Sequence, residues 1–333
     1  MRAARRRVLC PAVPVAVPAQ GKDRGTQALL TRICRTYQEG FDVATTAVVP
    51  ADAEPELEVV PARFRGFAYE GAAIGFAARD GLPFGRHDLV EEFLQGPAAD
   101  HAALTYVGMG RAMARLPRAR WVRPERLDPL LRWLVLDGYG FHQGCRHPRR
   151  YVANHARAER FPWPGGEEPD GYPQRAIDQG IGRAVWYVGG ADPWRVTALI
   201  GAFEPGRRAD LYSGAAFAAT YAGGVTADQL TRFREDSGEH CGQVALGAAF
   251  AAHARVRAGV AGPETELATG VLCAVTPDEA AAVTESLRPT AAEVAADTAG
   301  EPAYETWRQR VATALVPGGA RRWAPPAPRR RIA

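Results

Sequence analysis

Leu89-Val90-Glu91-Glu92-Phe93, followed by Gly96-Pro97-Ala98-Ala99-Asp100, has a counterpart 110 residues downstream in Leu199-Ile200-Gly201-Ala202-Phe203 and Gly206-Arg207-Arg208-Ala209-Asp210. The register extends upstream. Tyr69-Glu70-Gly71 faces Asp178-Gln179-Gly180 at an offset of 109, and Gln38-Glu39-Gly40 faces His142-Gln143-Gly144 at 104. Self-similarity at a nearly fixed spacing marks a duplicated architecture, here a unit of roughly 105 residues present twice. A carboxylate or amide stands beside each matched glycine, so the duplication also points to a first candidate site.

Helix signals dominate the rest of the chain. Apolar residues recur at helical spacing over 27–48, 68–80, 87–95, 99–115, 173–188, 208–222, 240–257, 264–274 and 302–314. Asp128-Pro129 and Asp192-Pro193 each place a capping acid before a proline at the first helical position. Thr226 with Gln229, and Thr276 with Glu279, form the pattern of a capping box. Alternating strand patterns are scarce. The expected fold is mainly α: a disordered leader (1–25), helical repeat 1 (26–117), helical repeat 2 (127–225) with an irregular loop at 145–172, a C-terminal helical extension (226–314) and a disordered Pro- and Arg-rich tail (315–333).

Composition narrows the function classes. The 333 residues are 47% apolar, enough for a sizeable core, and 41 basic side chains nearly balance 37 acidic ones. Lys22 is the only lysine, and no basic run interleaved with aromatics occurs outside the tails, so no nucleic-acid surface is expected. Five scattered cysteines without a Cys-x-x-Cys pair argue against a disulfide framework. No apolar stretch is long enough to span a bilayer. Basic residues before Val8-Leu9-Cys10 resemble an export signal, but Pro11, Pro14 and Pro18 would break its helical core, which favours a cytoplasmic protein.

Glycine inside a helix costs about 1 kcal/mol relative to alanine, so the glycines beside Glu39, Glu70, Gln143 and Gln179 need a reason. The simplest is close approach of helices. A sharper one has Glu39, Glu70, His142 and Asp178 converging between the repeats, where buried carboxylates beside an imidazole provide acid–base chemistry or hold a metal. His142, Cys145 and His147 lie within six residues, but zinc would need a fourth ligand, for which only His155 is near. Gly180 and Gly182 lack the strand and the third glycine of a nucleotide loop. Asp178 and Arg183, five apart, miss the same-face spacing of a helix, so each is expected to pair with another element. Tyr139, Trp186, Tyr212 and other aromatics gather in the second unit, as core or as the lining of a cleft for an apolar ligand.

Four motifs together resemble a known family: Arg65-Gly66-Phe67-Ala68-Tyr69-Glu70-Gly71, Asp137-Gly138-Tyr139-Gly140-Phe141-His142, Asp178-Gln179-Gly180-Ile181-Gly182-Arg183 and Tyr221-Ala222-Gly223-Gly224. It is an actinobacterial domain-of-unknown-function family encoded beside the iterative polyketide synthase of enediyne warhead cassettes. The resemblance runs from about residue 35 to 312. It implies a place in polyketide biosynthesis and no mechanism; the expectation set on it is an accessory protein that binds or modifies an apolar polyene intermediate. Glu70, His142, Asp178 and Arg183 would then line the polar end of the cleft, with Glu39, Tyr139, Gln179, Trp186 and Tyr212 against the ligand. No motif names a cofactor. Two alternatives stand beside this one: a non-catalytic helical-repeat scaffold for the synthase or another pathway enzyme, and a carboxylate/His metalloenzyme.

Overall fold

Glycines two residues apart stand about 200° apart around a helix, so a Gly-x-Gly step leaves two opposite faces bare. Three consecutive long helices carry that step, at Gly108/Gly110, Gly138/Gly140 and Gly180/Gly182. The computed structural model describes residues 24–83, 86–157, 161–163, 171–296 and 301–315, and these contain no β-strand. The fold is mainly α. Its helices are α1 (Arg24–Thr46), α2 (Glu54–Glu58), α3 (Ala62–Asp80), α4 (Leu89–Gln95), α5 (Ala102–Met113), α6 (Trp133–Arg146), α7 (Tyr172–Val188) and α8 (Pro193–Gly201). They continue as α9 (Pro205–Ala222), α10 (Ala227–Asp236), α11 (Cys241–Arg257), α12 (Pro263–Leu272), α13 (Pro277–Ser286), α14 (Ala291–Ala295) and α15 (Ala303–Ala314).

Each glycine of the three steps faces the backbone of a different neighbour. Gly108 lies against Glu70 and Ala73 of α3, and Gly110 against Val135 of α6. Gly138 faces Val107 of α5 and Gly140 faces Ile177 of α7; Gly180 returns to Asp137 of α6 while Gly182 meets Leu211 of α9. In most of these crossings a methyl group would collide with the facing carbonyl oxygen. Backbones therefore touch where side chains would normally hold helices apart. The outcome is a row, α1–α3–α5–α6–α7–α9–α11–α13, in which each helix packs chiefly on the two beside it.

The row bends back on itself. Tyr221 of α9 sets its hydroxyl above Gly66 of α3 and its ring edge-on to Phe67 at 5.1 Å. Arg255 of α11 donates to the Tyr221 carbonyl and, at 3.2 Å, to the Arg63 carbonyl. The C-terminal helix α15 then seals the outside, with Trp307 donating to the Thr284 carbonyl at 2.8 Å and Arg308 reaching Asp210 of α9 at 2.8 Å.

Local signals agree closely with the helices. Asp192 accepts from the Trp194 and Arg195 amides, and the capping boxes at Thr226 and Thr276 are both closed. A further box at Thr290 and Glu293 starts α14. Two expectations shift. Asp128 accepts from Leu130 and Leu131 at 2.9 Å and closes a turn, but the α-helix itself begins at Trp133. The irregular stretch begins later than 145, because α6 continues to Arg146 and a π-helical turn covers Arg149–Ala153. The leader apart from Arg24 and Gly25, the tail beyond Leu315, and much of 158–170 lie outside the described residues. Gln38–Gly40 and His142–Gly144 lie in α1 and α6, and Tyr69–Gly71 and Asp178–Gly180 in α3 and α7, whereas Leu89–Phe93 opens α4 and Leu199–Phe203 runs past the end of α8.

Candidate functional site

Two acid–arginine pairs are buried where the row curves. In the first, Glu70 of α3 accepts from Arg111 of α5 at 2.5 Å and from the Tyr37 hydroxyl of α1 at 3.3 Å. The Arg111 guanidinium lies between the Tyr37 and Phe141 rings, 4.3 and 4.8 Å from their centroids. Burial, reinforced by the Glu70 charge, raises the Tyr37 phenol well above its usual range, so it remains a donor. Both carboxylate oxygens of Glu70 are thus occupied, and the acid of this pair is closed to a further donor.

In the second pair, Arg183 of α7 meets Asp137 of α6 through Nε alone, at 2.9 and 3.1 Å to the two oxygens. Phe217 of α9 covers the guanidinium face at 3.6 Å. Burial pushes the Asp137 carboxyl up to about 6 despite Arg183. The Nη groups of Arg183 have no hydrogen-bond partner among the described residues, although the side chain is only 8% exposed. This pair is open on one edge.

That edge borders two hollows. The inner one, about 10 Å³, is framed by Tyr37, Glu70, Phe141, Arg183, Tyr187 and Tyr221. The outer one, about 70 Å³, lies between α5, α6, α7, α9, α11 and α15, and is walled by Leu134, Leu246, Phe250 and Trp307 among others. Leu104, Arg183 and Phe217 line both. The polar lining of the outer hollow includes Asp137, Gln179, Arg183, Ser213, His253 and Arg308, and its rim carries Asp100, Arg257 and Arg288. The aromatic and aliphatic walls suit an apolar guest, and the few converging polar groups suit one oriented end of it.

A family model described as a protein of unknown function, DUF1702, matches residues 1–315. The chain belongs to the DUF1702 family. No curated protein and no solved structure matches it.

Within this DUF1702 chain the residues singled out by the sequence take different places. Glu70 and Arg183 share the inner hollow, and Gln179 joins Arg183 in the outer one. Asp178 turns away to Arg207 of α9, which donates at 2.6 and 3.0 Å and spends a third donor on the His155 carbonyl at 2.7 Å. His142 is buried in the field of Arg111 and Arg115; burial and those charges hold its imidazole at about 3, so it is neutral. Glu39 is solvent-exposed and pairs with Arg32 at 3.2 Å. Tyr139 packs against Trp121 and Phe161, Trp186 is fully buried against Phe233, and Tyr212 stacks near His240.

Asp210 of α9 anchors a separate charged network. It is buried, and with Glu305 it holds Arg175 and Arg308 in a four-charge cluster that fastens α15 to α7 and α9. Among the described residues no group of three or more His, Cys, Asp or Glu side chains could hold a metal, and the four described cysteines are free thiols. No described helix is long and apolar enough to cross a membrane. Arg111 and Asp137 were not singled out from the sequence. Their signal is a charge inside an otherwise apolar helical run, Tyr106-Val107-Gly108-Met109-Gly110-Arg111-Ala112-Met113 and Leu134-Val135-Leu136-Asp137, which demands a buried partner.

Proposed function

We propose that this DUF1702 protein serves enediyne-type polyketide biosynthesis by holding an apolar, unsaturated intermediate in the outer hollow, and we read α1–α5 and α6–α9 as two copies of one unit that flank it. The observation that carries the proposal is a largely apolar cavity lined by α5, by α6, α7 and α9, and by α11 and α15, with the Asp137–Arg183 pair at its inner end. Burying apolar area contributes about 25 cal/mol per Å², and a conjugated chain left in water would associate with others of its kind. A volume of about 70 Å³ holds only two or three waters. An extended guest therefore enters by parting the rim where Phe250 of α11 packs on Trp307 of α15 at 4.7 Å.

The test is to fill the cavity. Leu246→Trp places an indole in the hollow. Flux from the synthase product onward, followed by mass spectrometry, is expected to fall while the protein stays folded; undiminished flux would reject the cavity as the site. A second reading, a docking protein for a pathway enzyme, is favoured by a separate open cleft of about 760 Å³ between α4, α5 and residues 116–128. Arg120, Arg123 and Arg126 line that cleft, and flux lost on their replacement instead would select it.

A further inference from the structure

We infer that the guest of the outer hollow carries a carboxylate, gripped by the unused Nη edge of Arg183 and the hydroxyl of Ser213. This rests on the apolar-ligand reading above and supplies the polar end that reading leaves open.

A guanidinium has five N–H donors and no acceptor. Asp137 engages only Nε of Arg183, and Phe217 covers a face of the plane at 3.6 Å. The remaining donors are satisfied by no side chain or carbonyl among the described residues. These donors face the cavities, where a guest that brings an acceptor gains hydrogen bonds that the described residues do not supply. Arg207 and Arg308, two other buried arginines, use their Nη groups within the fold. Arg207 places its donors on Asp178 and the His155 carbonyl, and Arg308 reaches both Asp210 and Glu305. Ser213 of α9 is 7% exposed, lines the same cavity, and its hydroxyl also has no partner among the described residues.

The chemistry of the acceptor follows from charge and shape. A guanidinium edge is a two-pronged donor that matches a carboxylate, and the hydroxyl adds a third hydrogen bond. A phosphate dianion would bring two negative charges toward Asp137 and Glu70, whose arginines are already paired, where a carboxylate brings one. A neutral carbonyl would leave part of the fork unmet. At the rim, Arg257 and Arg288 each stand beside an acid, Asp100 at 3.9 Å and Glu285 at 3.7 Å, so the choice of guest falls to the inner end.

The experiment uses the full chain and three probes that fluoresce when shielded from water: parinaric acid, its methyl ester and the corresponding alcohol. The acid is expected to bind about tenfold more tightly than the other two. Arg183→Leu should remove that preference while leaving ester binding in place. Because it strands Asp137, the double variant Arg183→Leu/Asp137→Leu, which removes both charges, is measured beside it. Ser213→Ala should weaken the acid alone, by a few-fold. Equal binding of acid and ester by the unaltered protein, or a preference that survives both Arg183 variants, overturns the carboxylate inference and leaves the apolar-ligand reading standing. If none of the three probes binds, both fall.

Discussion

Glu70–Arg111 and Asp137–Arg183 are made from the same kinds of residue, on neighbouring helices, in one aromatic enclosure, yet one is sealed and the other is not. Glu70 has both oxygens taken, and Arg111 is held between two rings. Arg183 has a ring on one face, an acid on one edge, and cavity beyond. Burying an ion pair is expensive unless hydrogen bonds satisfy what the pair itself does not. In the first pair both oxygens of the acid are met within the fold. The second has Nη donors left facing a cavity, which is why we read the first pair as structure and propose the second as a site.

The largest test breaks the frame that holds both pairs. Gly180→Ala drives a methyl into the Asp137 carbonyl at the crossing of α6 and α7. Stability from urea denaturation is expected to fall by about 4 kcal/mol or more, or folding to be lost altogether. Gly201→Ala, where nothing lies within 4 Å, should be neutral or stabilising by a few tenths of a kcal/mol. A loss under about 1 kcal/mol for Gly180→Ala would mean the backbones do not touch.

Next comes the sealed pair against the open one. Glu70→Gln leaves Arg111 charged and buried without its counter-ion, and should cost about 3–5 kcal/mol. Asp137→Asn removes a carboxyl that burial already raises to about 6, and should cost less, about 1–2 kcal/mol. Equal losses in paired denaturation curves would erase the distinction.

The two regions also respond to acid with opposite sign. His142, held at about 3 against an ordinary 6.5, binds its proton more readily once unfolded. Its contribution is whole above pH 6.5 and declines as pH falls toward 3. His101, held at about 4 by burial, adds to the same decline. Asp137, raised from 3.8 to about 6 with Arg183, Glu70 and Arg308 around it, is more readily protonated when folded, so its contribution is present below 3.8 and is lost as pH rises to 6. Each unit is worth about 1.4 kcal/mol. Asp137→Asn should therefore make stability climb more steeply with pH between 4 and 6, and His142→Phe should flatten it. An unchanged slope in the asparagine variant would place the titration elsewhere.

The smallest effect is expected where a pair sits in water. Glu39→Ala, at the exposed pair with Arg32, should change stability by no more than about 0.5 kcal/mol. A larger loss would mean that α1 carries a function its exposure does not suggest.

The sequence made some parts of this molecule legible and left others out of reach. Caps at Asp192, Thr226 and Thr276 were readable because a cap spans three residues. The glycines announced themselves by their cost inside helices, and the spacing of Asp178 and Arg183 implied partners on other elements. Which partners could not be read. Arg111 finds Glu70 41 positions away, Arg207 finds Asp178 at 29, and Arg308 finds Asp210 at 98. Nothing local distinguishes Glu39, in solvent, from Glu70, at the centre, since each precedes a glycine in a helix.

By itself, then, the chain's order of residues determined the helices, their ends and the places where backbones meet, because periodicity, capping and a missing side chain act over a few residues. Tertiary structure alone decided which acid closed on which arginine and which guanidinium kept an edge free. That outcome depends on how the glycine crossings set one helix against the next, and a shift of a few ångströms there would trade a sealed pair for an open one.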